Sequence, residues 1–274
     1  MIPPTILANE NQSQLNIPFQ RNLSMFRIIT FSLLCVALFS STKVEASSRK
    51  IPWLYEPRTM PAGHVEYEQW VTLKTNKESD SKYTEVRFRH EIEWGVTDRF
   101  QMAVYVADWR YKKTSSGERT SFRDVALEGI YQLQAPNPDQ LGVALYGEIK
   151  YGSEFLELEA KILLEAEFDQ VNVIYNFTLE AEWEGQDLQE DKGKIINSIA
   201  LTYQPKPSFT LGLQAILETP IPDWEDFGDE VLSIGPSVSW QSGSWWCCVS
   251  PIFQVTNVDS APDLQVRFLF GIDF

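Results

Sequence analysis

The last eleven residues, Leu264-Gln-Val-Arg-Phe-Leu-Phe-Gly-Ile-Asp-Phe274, alternate with a period of two. Leu264, Val266, Phe268, Phe270, Ile272 and Phe274 share one face; Gln265, Arg267, Gly271 and Asp273 share the other, with Leu269 the single exception. Successive side chains of a strand point to opposite faces, so the pattern specifies a strand with one wholly apolar side. A soluble β-protein gains nothing from ending such a strand on an exposed ring. The segment calls for hydrocarbon on one side and polar surroundings on the other.

The same alternation recurs upstream. About twelve segments of roughly ten residues follow one another from residue 63. They are 64–74, 83–94, 99–110, 122–133, 141–150, 156–168, 171–183, 195–203, 209–218, 232–241, 245–256 and 264–274. Residues 156–168 include good helix formers. Even there Glu157, Glu159, Lys161, Glu165 and Glu167 alternate with Leu158, Ala160, Ile162, Leu164 and Ala166, which is a strand period. Short connections (95–98, 134–140, 169–170, 204–208, 242–244) alternate with mostly longer, more charged ones (75–82, 111–121, 151–155, 184–194, 219–231, 257–263). Trp94, Phe100, Phe168, Tyr203, Phe209, Trp240, Trp245 and Phe274 border the short set; Trp109, Phe122, Tyr151 and Trp183 border the long set. Two aromatic belts at opposite strand ends suit membrane interfaces, whereas a soluble sandwich would keep its rings in the core. The expected fold is all-β: a transmembrane antiparallel up-and-down β-barrel of about 12 strands, its even count placing both termini on the periplasmic side.

The N-terminus reads as an export signal. Arg21 and Arg27 flank Met25, residues 28–40 are largely apolar, and Val44-Glu-Ala46 offers small residues at a cleavage site after Ala46. The apolar run is shorter than the roughly 20 residues a spanning helix needs. Residues 1–46 are thus expected to be an N-terminal extension and signal peptide, with Met25 an alternative start. Residues 47–62, Pro-containing and irregular, are expected as a periplasmic lead-in, and 63–274 as the outer-membrane barrel of a Gram-negative bacterium. No other stretch suits a transmembrane helix. The formal net charge of −15 becomes about −16 when Arg21, Arg27, Lys43, Glu10 and Glu45 leave with the signal, which disfavours nucleic acid as a partner. Cleavage also removes Cys35. Adjacent Cys247 and Cys248 would point to opposite faces of a strand, so no disulfide framework is expected.

Charge then fixes which face turns inward. In residues 83–94, Val86, Phe88, Ile92 and Trp94 oppose Glu85, Arg87, Arg89, Glu91 and Glu93. An Arg on the lipid face near the midplane costs about 2–4 kcal/mol, so the charged row is expected in the lumen. The same rule places Glu66, Glu68, Glu128, Glu148, Lys150, Glu157, Glu159, Lys161, Glu165, Glu167, Glu180, Glu182 and Arg267 there. His90 shares the lipid-facing phase, which requires either a neutral protein contact or a bulge. The lumen is expected to be acidic with a minority of bases. Two readings follow: cross-strand ion pairs, such as Glu68 with Arg89, that close a narrow barrel, or a carboxylate-lined pore that favours cations. The corresponding functions are a channel or transporter for small cationic or neutral solutes, and a plugged structural or surface-interaction barrel.

Catalysis is not expected, and an envelope lipid-modifying enzyme is the distant alternative. His64 and His90 are followed two residues on by Glu66 and Ile92, so the His and Ser spacing of barrel phospholipases is missing. Neither histidine lies beside clustered Asp as in barrel proteases, and zinc-ligand spacing is absent. No cofactor is expected. The acidic loop 220–230 could attract Ca²⁺ or Mg²⁺ but lacks the ordered ligand spacing of a dedicated site, and is expected to face lipopolysaccharide.

Two local features carry a resemblance. The C-terminal pattern of Val266, Phe268, Phe270, Ile272 and Phe274 resembles the signal that the barrel-assembly machinery reads in Gram-negative outer-membrane barrels. Glu66-Tyr-Glu-Gln-Trp70, followed by Arg87-Phe-Arg-His-Glu-Ile-Glu-Trp-Gly-Val-Thr-Asp-Arg-Phe-Gln101 and Tyr105, resembles proteobacterial transporter-like barrels of the phenol-degradation-pathway and porin-like groups. That resemblance is tight over about forty residues and rests elsewhere on general alternation. It implies fold, outer-membrane location and lipid contacts, and it carries no substrate or binding residues.

Overall fold

The computed structural model describes residues 49–274; the expected signal peptide and its cleavage at Ala46 lie outside the described residues. Strands run in chain order as β1 (Val65–Lys77), β2 (Asp80–Thr97), β3 (Phe100–Thr114), β4 (Gly117–Phe122), β5 (Val125–Gln134), β6 (Gly142–Gly152) and β7 (Phe155–Phe168). They continue as β8 (Val171–Glu184), β9 (Glu190–Lys206), β10 (Phe209–Pro222), β11 (Val231–Ser242), β12 (Trp245–Gln254) and β13 (Leu264–Asp273). Each strand pairs antiparallel with its neighbours, and β1 pairs with both β2 and β13, which closes the sheet. β4 and β5 both pair with β3 and are separated by Arg123-Asp124, so they occupy one wall position. The result is a closed antiparallel barrel of twelve strand positions.

Alternation sets the two surfaces. Outward positions such as Leu201, Leu213, Ile199 and Phe253 are exposed, while their neighbours Ala200, Thr202, Gln214 and Ile252 are buried. Val266, Phe268, Phe270, Ile272 and Phe274 lie on the outer face of the closing strand, and the Phe274 amide donates to the Val65 carbonyl at 2.9 Å. Leu269, the exception in the alternation, turns inward and packs with Trp70, Trp246 and Cys248.

The start of β1 and the C-terminus share the end with the tight β2/β3, β7/β8, β9/β10 and β11/β12 turns. At the opposite end three expected long loops are short. Residues 75–82, 111–121 and 151–155 contain tight turns at 78–79, 115–116 and 153–154, with paired strands running up to them. Beyond the apolar band both faces of a strand meet water. Residues such as Lys112, Lys113, Glu118 and Arg119 then carry no period-two signal although backbone pairing continues.

Residues 49–62 do not hang below the barrel as a periplasmic lead-in. They thread its interior. Ile51 and Leu54 pack on Ile174 and Ala200, with Trp53 alongside. Tyr55 packs against both the Trp70/Trp246/Leu269 cluster and the Ile130/Ala144/Tyr146/Leu163 cluster. Two glycines make room for the segment. A Cβ on Gly95 would lie 2.1 Å from the Pro61 carbonyl oxygen, and one on Gly212 would lie 2.5 Å from Ile51 Cδ1. The wall is therefore shaped to its occupant. The sequence pattern could not reveal this, because an irregular segment has no period and takes its position from pockets distributed over many strands.

His90 stays on the outer face. Its Nδ1 lies 2.8 Å from the Tyr67 hydroxyl, and the rings stack. The local bulge falls between the His90/Ala107 and Glu91/Tyr105 pairs, so Val106 is the extra residue on β3 and His90 is not turned inward.

Candidate functional site

The candidate site is the lumen and the segment within it. Arg49 bridges two strands: Nε donates to Glu68 at 3.0 Å and Nη2 to Glu93 at 2.8 Å, with its guanidinium over the Tyr55 and Trp70 rings. Lys50 Nζ reaches Glu165 at 2.9 Å, and Arg58 bonds Glu165 at 3.0 Å and also Glu167. The Tyr55 amide donates to Asn176 Oδ1 at 2.7 Å, and Asn176 Nδ2 returns a bond to the Tyr55 carbonyl at 2.8 Å. The Met60 amide donates to Gln101 Oε1 at 2.8 Å. The hydroxyls of Tyr55, Tyr105 and Tyr146 converge on Glu128 Oε2 at 3.1, 2.5 and 3.0 Å. Burial raises the Tyr55 pKa well above its ordinary value and Glu128 pushes the same way, so this hydroxyl stays a donor. Burial also raises the Glu56 pKa, an effect that Lys50 partly offsets.

Tyr55 separates two cavities and lines both. One, about 400 Å³, lies on the terminal side and is bordered by Arg49, Lys50, Glu56, Arg58, Glu68, Glu93 and Gln101. The other, about 350 Å³, lies toward the opposite end. Its walls carry opposite bias. Lys74, Arg87, Arg89, Arg110, Arg123 and Arg267 come from β1, β2, β3, the β4/β5 break and β13, against Glu85 and Asp108. Glu148, Glu157, Glu159, Glu180, Glu182 and Glu218 come from β6, β7, β8 and β10, with Lys150, Lys161 and Lys194 among them. Among the described residues the lumen is thus acidic near the start of β1 and the C-terminus, and mixed in the second cavity. The sequence list omitted Lys74, Arg110 and Lys194 at strand ends, Arg123 at the break, and Arg49, Lys50 and Arg58 on the internal segment. No alternation marks those places.

Among the residues placed inward by charge sorting, Glu66, Glu68, Glu85, Glu91, Glu93, Glu128, Glu148, Lys150, Glu157, Glu159 and Glu165 are buried. Arg87, Arg89, Lys161, Glu167, Glu180, Glu182 and Arg267 are half-buried and line a cavity. The expected Glu68–Arg89 pair does not form, because Arg49 occupies Glu68. Arg89 instead reaches Asp108 at 3.4 Å and Glu148 at 3.9 Å, and Arg87 shares Asp108 at 2.5 Å. On the other wall Lys150 bridges Glu148 and Glu157 at 2.9 and 2.5 Å, and Lys194 meets Glu180 at 2.7 Å. Arg267 lies over the Trp53 ring at 3.8 Å and donates to the Pro52 carbonyl at 3.3 Å, so it clasps the segment.

Similarity to solved structures is confined to fold. The NanC porin superposes with a TM-score of 0.51 at 11% identity, covering 77% of this chain and 98% of that one. The translocator domain of the autotransporter NalP from Neisseria meningitidis gives 0.49 at 9% identity, covering 92% and 96%. The KdgM porin gives 0.45 at 10% identity, covering 77% and 98%. The fold matches Gram-negative outer-membrane barrels. No curated protein sequence matches the chain. A family model matches residues 52–261, a span that includes most of the internal segment, and it is not that of the phenol-degradation-pathway group. The chain belongs to DUF6662, a family of unknown function.

Proposed function

We propose that the protein is a non-enzymatic channel of the Gram-negative outer membrane for small cationic or neutral solutes, throttled by its own residues 49–62. The observation that carries this reading is the pair of polar cavities separated at Tyr55 by a segment whose ion pairs with the wall can be released without opening the sheet. Breaking Arg49, Lys50 and Arg58 away from four carboxylates frees most of the charged contacts without unpairing any strand. Cation preference arises at the acidic belt of Glu66, Glu68, Glu91, Glu93 and Glu128, where carboxylates outnumber bases. Outer-membrane lipid and lipopolysaccharide surround the apolar band, and the barrel-assembly machinery is the partner for the closing strand.

A second reading, a permanently plugged structural barrel, is favoured by the apolar contacts of Ile51 and Leu54. Planar-bilayer recording separates the two. The full chain is expected to give small or intermittent steps, and a variant lacking residues 49–60 larger, cation-selective ones. A folded deletion variant that stays silent would favour the structural reading.

A further inference from the structure

The second cavity differs from the rest of the chain in its charge balance. Nine basic and eight acidic side chains line its roughly 350 Å³, although the chain as a whole carries −15. Those charges are sorted by wall. The side built from β1, β2, β3 and β13 is mainly basic, and the side built from β6, β7, β8 and β10 is mainly acidic. Fixed charges of opposite sign facing each other across a cleft in low-dielectric protein set up a field from one wall to the other.

Many of these groups are already paired within their own wall. Arg87 and Arg89 share Asp108, Lys150 bridges Glu148 and Glu157, and Lys194 meets Glu180. What remains is sorted in the same sense. Among the described residues, Lys74, Arg110 and Arg267 have no carboxylate within ion-pair distance, although Lys74 has Glu85 as its cross-strand neighbour. On the acidic side Glu218 has no base within that distance, and β10, which carries it, stands across the ring from β3, which carries Arg110. Glu148 Oε1 is buried and meets no hydrogen-bond donor among the described residues, with Arg89 Nη1 3.9 Å away. The bias continues to the mouth. Lys112 and Arg119, cross-strand partners, extend the Arg110 face along β3 and β4. The β10/β11 loop beyond Glu218 carries Asp223, Glu225, Asp226, Asp229 and Glu230.

A simple anion in this cavity is repelled by one wall, and a simple cation by the other. A molecule with both charges aligns with the field and meets a complementary group at each end. We propose that the second cavity is a binding site for small zwitterions of the amino acid or short peptide class. The carboxylate turns to Arg110 and Arg267, and the ammonium to Glu218 and Glu148. The cavity size lies at the small end of ligand pockets, which suits molecules of this class. This deepens the channel reading and rests on it for passage of the solute, a zwitterion being one of the net-neutral solutes named there.

Glycylglycine tests the site against its C-terminal amide, a cation, and its N-acetyl form, an anion. Ligand-observed NMR titration of the refolded full barrel in detergent reads binding without passage. Glycylglycine should bind at least about tenfold more tightly than either analogue. Arg110→Gln should weaken glycylglycine and the N-acetyl form by about tenfold and spare the amide. Glu218→Gln should weaken glycylglycine and the amide and spare the N-acetyl form. Neither substitution strands an ion-pair partner, and heat-modifiable gel migration reports an intact barrel. Failure of glycylglycine to bind the folded barrel, equal affinity for the three probes, or losses that do not follow this charge pattern would each overturn the site. Silence in planar bilayers with the binding pattern intact would sink the channel reading and leave the site standing.

Discussion

At the residue scale, Arg49 and Gly95 carry the most testable detail. Among the described residues, Arg49 alone joins the internal segment to both Glu68 and Glu93 through ion pairs. Arg49→Gln leaves two buried carboxylates short of a partner, at a cost of about 3 kcal/mol. Arg49→Lys keeps the charge but loses the forked reach to both, so an intermediate effect is expected. Trypsin reads the outcome, since Lys50 is a cleavage point half-buried in the barrel. Cleavage after Lys50 should rise in the order wild type, Arg49→Lys, Arg49→Gln; equal rates would mean that Arg49 does not hold the segment. Gly95→Ala places a methyl on the Pro61 backbone, not on a flexible side chain. A destabilisation of about 1–3 kcal/mol is expected, seen as a lower heat-modification temperature. If the temperature is unchanged, residues 60–61 are not packed on Gly95.

At the element scale, the closing strand joins its apolar outer face to the seam with β1. Deleting Phe274 removes the Phe274–Val65 backbone bond and the terminal ring of the expected assembly signal. Folded barrel recovered from outer membranes should fall severalfold, while refolding in detergent changes little; equal losses in both would assign the effect to stability rather than to recognition. Strands such as β2, β7 and β13 were legible because lipid and lumen impose opposite demands on alternate residues. The charged upper hairpins were not, since water on both faces removes that demand. The inward phase of Glu91 and Glu93 could be read from the sequence, but their closeness to Glu128 could not. That closeness depends on β2 and β5 flanking β3 on one wall, where Glu93 and Glu128 both pair with Ala103.

At the scale of the whole molecule, a barrel of twelve strand positions stands between filled small barrels and open porins, and this chain fills the gap with its own N-terminal segment. The wall supplies apolar sockets, carboxylates for Arg49, Lys50 and Arg58, and glycine clearances, so segment and wall form one unit. Hydrogen exchange of residues 51–60 in the folded barrel tests this most directly. The Tyr55 and Met60 amides, bonded to Asn176 and Gln101, should exchange on the slow timescale of the strand amides and become fast when Arg49 and Arg58 are both replaced by Gln. Exchange in the wild-type barrel as rapid as that of a free peptide would place the segment outside the lumen and contradict the account.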